Sequence, residues 1–233
     1  MTTDYEKVCE FNKAFDFPQY DDLDDLKTQK LRLDLIKEEI TELQDAYKIN
    51  DTIEEMDACA DILYVAYGMA YTYKINSDNF LEYLITNKQQ TLFENIKTNQ
   101  VECKSKLDFI NLIDGQFKKL CECCNNKSKE WINALHNIII YVYDFQVVSK
   151  YDSDKIFSLV HSSNMSKLCV SEEEAQKTVD KYKQEYDNGK SPYDSPIYQR
   201  LDNGLYVIKN KSSGKALKSI NYTKVKLDNT YYL

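Results

Sequence analysis

The sequence predicts an all-α fold: an antiparallel four-helix core made from two pseudo-repeated helical hairpins, finished by a small C-terminal β-hairpin. Three observations carry this expectation. Gly and Pro number only 5 and 3 in 233 residues, too few turn formers for a sandwich or a doubly wound sheet, whereas long helices need few. Several long segments place apolar residues at the 3.6-residue helical spacing. One pair of such segments recurs later in the chain with its apolar positions kept.

The elements follow in order. Asp4 to Phe15 is a short amphipathic helix with Val8, Phe11 and Phe15 on one side, broken at Phe17-Pro18. Asp21, Asp22, Asp24 and Asp25 read as a solvated loop and cap before the next helix. Leu31 to Ala46 or Tyr47 carries the stripe Leu31, Leu35, Ile36, Ile40 and Leu43. Asn50-Asp51-Thr52 ends it and caps a helix that runs to about Tyr73. That second helix is apolar on nearly every side and is expected to be central. Gly68 in its interior points to close packing against another backbone. Asn79 to about Thr98 forms an outer helix, and Val101 to Cys124 another, with Leu107, Ile110, Ile113, Phe117 and Leu120 inward. Glu130 to Lys150 is the second strongly apolar helix. Asp154 to Val160 is short and is followed by HSSNMSK, His161 to Lys167. Ser171 caps a helix that runs to about Tyr186 and ends at Asn188-Gly189. Leu205 to Ile208 and Lys215 to Lys218 flank Ser212-Ser213-Gly214 as a two-stranded hairpin that must lie on the helices. Asn221 to Leu233 reads as loop.

The repeat aligns residues 35–43 with 112–120, and Asp57, Asp61, Tyr67 and Lys74 with Asn133, Asn137, Tyr143 and Lys150. The apolar positions persist while the acids vanish: Glu38, Glu39 and Glu42 become Gly115, Gln116 and Lys119. Two such hairpins packed about a pseudo-twofold make a four-helix core. The expected layout is a helical domain over 1–190, with repeat halves at about 31–78 and 107–157, and an appendage over 191–233.

A formal net charge of -8 argues against a nucleic-acid polymer as partner but not against a metal-bridged nucleotide, whose cation reverses the local sign. The 7 cysteines include a cluster at Cys121, Cys123 and Cys124 that has no matching second pair, so they read as reduced thiols of a cytosolic protein. The first residues lack the basic start and apolar core of a signal peptide, and no apolar run reaches membrane-spanning length.

The chemistry centres on residues 32–68. Glu38, Glu39 and Glu42 share one helix face, and Asp57 and Asp61 share another inside an apolar helix. On their own the three glutamates equally describe a solvated face, and the two aspartates a cap or a buried salt bridge. Together they describe an acidic cage, for which a hard divalent cation is the simplest counter-charge. A carboxylate near that cation can orient or deprotonate a water. Asn164 and Lys167 can supply an amide and a positive charge to phosphates. His161 serves either a phosphate or a backbone group, and Lys177 and Lys181 fit plain surface.

The residues Glu38-Glu39-x-x-Glu42, the segment DACADILYVAYG from Asp57 to Gly68, and HSSNMSK resemble the MazG-like all-α nucleoside triphosphate pyrophosphatase superfamily. This group includes phosphoribosyl-ATP pyrophosphohydrolases and dimeric dUTPases, and the likeness is to its phage and large-virus members. The resemblance implies Mg²⁺-dependent cleavage between the α and β phosphates, with Mn²⁺ as a substitute. It implies metal ligation by Glu38, Glu39, Glu42 and Asp61, with Asp57 or a glutamate positioning water, and nucleotide contacts from Asn164 and Lys167. Many members carry an ExxD pair in the second helix; here the position three before Asp61 is Ala58 and the acid is Asp57, four before. The alternatives are hydrolysis of phosphoribosyl-ATP or a modified nucleotide, or a catalytically silent helical scaffold. The expected partners are a nucleotide and, for the chain itself, either a homodimer or a self-contained pseudo-dimer in the cytoplasm, a host's if viral.

Overall fold

The computed structural model describes residues 2–79, 105–213 and 215–233. The helix expected from Asn79 lies, but for its first residue, outside them, as does the start of the one expected from Val101. The described chain is mostly helical, with a small C-terminal antiparallel sheet. It divides into two compact units. One holds residues 1–9, 18–157 and 227–233, and the other holds residues 10–17 and 158–226.

In the first unit, α2 (Leu26–Ile49) and α3 (Thr52–Thr72) form one hairpin, and α4 (Lys106–Asn125) and α5 (Trp131–Ser149) form the other. Helix α2 starts five residues earlier than its apolar stripe suggests, because Asp25 caps it by accepting from the Lys27 and Thr28 amides. Asn50 takes a left-handed conformation (φ 57°) and the Asp51 side chain accepts from Ile53 and Glu54, so one helix stops and the next starts within two residues. Ser105 and Asp108 form a reciprocal capping box at the start of α4. The apolar helices α3 and α5 pack on each other, and α2 packs on α4.

The repeat is visible in this packing. Ile36, Ile62, Ile113 and Ile138 are all fully buried, as each pair of equivalents requires. Lys74 and Lys150, equivalent in sequence, both turn the chain through positive φ (54° and 60°). Tyr67 and Tyr143, also equivalent, meet with their hydroxyl oxygens 3.0 Å apart. Contact between a residue and its own counterpart is what a twofold axis produces. The chain end is not a free loop. Asn229–Tyr231 form a 3-10 turn, Tyr232 bridges to Tyr151, and the Leu233 amide donates to the Lys150 carbonyl at 2.7 Å.

In the second unit, α6 (Ser153–Met165), which starts in the first, continues through His161 to Met165, so most of HSSNMSK is helical rather than a segment after a helix end. Helix α7 (Glu172–Asp187) is capped by Ser171. The expected hairpin is a three-stranded sheet, β1 (Pro196–Arg200), β2 (Tyr206–Asn210) and β3 (Ala216–Leu217), in the order β1-β2-β3. Pro196 starts β1, where no ladder donor is needed, and most of the strand is exposed, so it lacks a hydrophobic signature. The first two strands pack on α7, and Ile208 of β2 and Leu217 of β3 are buried beside Ala175 and Val179.

Candidate functional site

The turn at Asn50-Asp51 folds α3 back along α2, so the acids of the two helices face one another. Ile36, Ile40 and Leu43 take the inner face of α2, at 3% exposure or less. Glu39, one residue off that stripe, is therefore held half-buried at its rim, with Glu38 and Glu42 further out. On α3, Ala58 and Ile62 are buried, while Asp57 and Asp61 are half-buried on the adjoining face.

The consequence is a concentration of negative charge around Glu39. Its carboxyl is pushed up to about 8, first by burial and then by Asp61, Glu42, Glu38 and Asp57 in that order. Glu42 is raised as well, by burial and by Glu54, Glu38 and Asp57. The other four expected acids are thus all in electrostatic reach of Glu39. Glu54 joins them. It precedes Asp57 and Asp61 by three and seven residues, and that continuation of one helix face is the signal that marks it. Among the described residues, no three His, Cys, Asp or Glu side chains are drawn together tightly enough to enclose an ion. The donor set is nonetheless of the right kind. Carboxylate oxygens alone, crowded and mutually repelling, fit a hard divalent cation.

The second hairpin shows what the same scaffold does without those acids. Gln116 and Asn137 stand where Glu39 and Asp61 stand, and the Asn137 amide donates to the Gln116 side-chain oxygen at 3.3 Å. Two amides satisfy each other across the hairpin. Two carboxylates in the same places repel, and burial together with that repulsion pushes the Glu39 carboxyl up.

One residue near the cage departs from expectation. Gly68 does not face another backbone: a Cβ there would lie 3.1 Å from Nη1 of Arg32, so the glycine makes room for a guanidinium. Glu55 lies in the first turn of α3 but on its core face. It is 2% exposed, ion-paired with Lys106 at 2.6 Å and hydrogen-bonded by the Tyr151 hydroxyl. Its position three before Ala58 and seven before Ile62 puts it on the core face. That face is legible, but its cation comes from a distant helix start and is not.

Asn164, Lys167 and His161 belong to the second unit. Lys167 donates to the Asn164 side-chain oxygen at 2.5 Å and stands 6.0 Å from the centre of the Phe11 ring. His161 Nε2 lies 3.5 Å from a Glu10 carboxylate oxygen. Lys177 pairs with Glu173 and Lys181 with Glu185 along the exposed face of α7, as plain surface residues do.

Comparison with known proteins agrees with this layout. The family model for phosphoribosyl-ATP pyrophosphohydrolase matches residues 8–88, which contain the whole acidic hairpin. An uncharacterized protein of Acanthamoeba polyphaga mimivirus is 37% identical over 235 residues, covering 93% of this chain and 91% of its own. No solved structure matches. Over residues 8–88 the chain belongs to the phosphoribosyl-ATP pyrophosphohydrolase family, within the MazG-like all-α superfamily.

Proposed function

We propose that this protein is a Mg²⁺-dependent nucleoside triphosphate pyrophosphohydrolase that releases a monophosphate and pyrophosphate. The single observation behind this reading is the contrast between the two hairpins. One hairpin joins its Gln116 and Asn137 amides by a hydrogen bond, and the other sets carboxylates against one another around Glu39. An arrangement that strains its own electrostatics without a counter-ion is typical of a site kept for function.

Glu38, Glu39, Glu42, Asp57 and Asp61 would hold the cation. When bound, the cation neutralises the phosphate chain and lowers the pKa of a coordinated water. Glu39 or Asp57, when left outside the coordination sphere, acts as the general base that orients the attacking water and takes its proton. The inner walls of the hairpin, Ile36 and Ile62, exclude solvent behind the carboxylates. Asn164 and Lys167 provide an amide and an ammonium for the phosphates. The substrate enters alone, with no nucleic-acid polymer and no membrane, as a net charge of -8 favours, and the two hairpins act as a self-contained pseudo-dimer in the cytoplasm.

A panel of nucleoside triphosphates in Mg²⁺ or Mn²⁺, read by product identity, tests this reading. Pyrophosphate and a monophosphate are expected, and Asp61→Asn is expected to lower turnover at least a hundredfold. Release of orthophosphate, or no hydrolysis across the panel including phosphoribosyl-ATP, would refute it.

A further inference from the structure

Arg32 and Gly68 occupy a defined place relative to the acidic cage. Arg32 precedes Glu39 by seven residues and Gly68 follows Asp61 by seven. Seven residues are two helical turns, so each lies on the same face as its acid, displaced by about 10 Å along the helix. The two displacements run the same way because the hairpin is antiparallel. Arg32 and Gly68 do meet: Nη1 lies 3.1 Å from where a Cβ on Gly68 would stand. Between the two ends lie Leu35 on α2 and Val65 on α3, apolar and only partly buried. The hairpin face therefore runs from carboxylates, over an apolar strip, to a guanidinium.

A second observation marks the guanidinium end as unfinished. Tyr73, at the end of α3, is 3% exposed, and its hydroxyl has no hydrogen-bond partner among the described residues. Its charge-bearing neighbours include Arg32. A buried phenol without a partner is destabilising, because its desolvation is not offset, and a guanidinium carries five N–H donors, more than one partner uses. The guanidinium thus stands at one end of a hairpin face whose other end is purely acceptor, with the Tyr73 hydroxyl in its field.

We propose that Arg32, assisted by the Tyr73 hydroxyl, is a specificity-determining residue that binds a carbonyl oxygen of the substrate's base. This rests on the proposed nucleotide hydrolysis and assigns the base end of that same site. Phosphates held through a cation sit against the carboxylates. A group about 10 Å away, beyond an apolar strip, belongs to the opposite end of a nucleotide. Donors there select bases that present carbonyl oxygens, such as uracil or guanine, over adenine, which has none. A side chain at position 68 would press on the guanidinium, because its Cβ would stand 3.1 Å from Nη1.

Non-hydrolysable α,β-methylene triphosphates of uridine, guanosine and adenosine, and inorganic pyrophosphate, test the proposal when titrated calorimetrically in Mg²⁺. Arg32→Gln is expected to weaken the uridine and guanosine compounds at least tenfold, the adenosine compound less than threefold and pyrophosphate less than twofold. Gly68→Ala keeps a good helix former at that position and should reproduce the pattern in a folded protein, even where Arg32→Gln proves unstable. Equal weakening of pyrophosphate would assign Arg32 to the phosphates and overturn the proposal. Unchanged affinity for every base would overturn it too, with the proposed hydrolysis intact. Binding of none of these compounds by the unaltered protein would overturn both.

Discussion

Glu39 is the residue on which stability and function pull in opposite directions. Its carboxyl is raised from an ordinary 4.5 to about 8, so the folded chain keeps a proton that the unfolded chain gives up. The stabilisation from that proton is fully present below about pH 4.5 and is lost as pH rises towards 8. In the presence of a chelator, the melting temperature should therefore fall across that window. Glu39→Gln, which copies Gln116, should flatten the fall and raise the melting temperature at pH 8. After discounting for partial solvent screening, the gain is about 1 kcal/mol, or roughly 2–4 °C at this chain length. The same substitution should abolish hydrolysis. Melts from pH 5 to 9 decide the matter. An unchanged slope in Glu39→Gln would mean that the carboxylates do not oppose one another in solution.

The hairpin is the element that converts such residue-level conflict into geometry. Much of it is legible in the sequence: the stripe of Ile36, Ile40 and Leu43, the Asn50-Asp51 break and the acids at i, i+3 and i+4 are local patterns. The misread parts depend on partners far along the chain. Gly68 signals close approach, but nothing local says that the approaching group is Arg32. Glu55 looks like a first-turn acid, and only the fold brings Lys106 and Tyr151 to it. Strand β1 was illegible for the opposite reason, since a mostly exposed strand has no apolar alternation to read. The Glu55 contact ties the start of α4 to the first turn of α3 and so links the two hairpins. Lys106→Met should cost roughly 3–5 kcal/mol, because it leaves a carboxylate buried without its cation. Adding Glu55→Gln should recover most of that loss. Urea midpoints of the single and double variants measure it, and a harmless Lys106→Met would show that the pair carries no structural weight.

At the scale of the whole molecule, the two hairpins of the first unit are alike in backbone and unlike in charge. Tyr67 and Tyr143 meet at the axis that relates them, so the core keeps its twofold packing although only one half bears the acidic cluster. The symmetric part of the sequence serves packing, which is why the repeat is read from Ile, Leu and Tyr positions rather than from the acids. It follows that equivalent substitutions in the two halves should have opposite consequences. Mn²⁺ at a hundred times its dissociation constant should stabilise the unaltered protein by about 2.7 kcal/mol. Asp61→Asn should erase most of that gain, and it should not lower the chelated melting temperature, since it relieves repulsion on Glu39. Asn137→Ala, at the equivalent position, should lower the chelated melting temperature by losing its hydrogen bond to Gln116, a cost of about 0.5–1.5 kcal/mol. Yet it should leave the Mn²⁺-dependent gain untouched. Thermal melts of the three proteins with and without Mn²⁺ compare the halves directly. A metal-dependent shift that survives Asp61→Asn and disappears in Asn137→Ala would place the cation on the wrong hairpin and refute the division of labour.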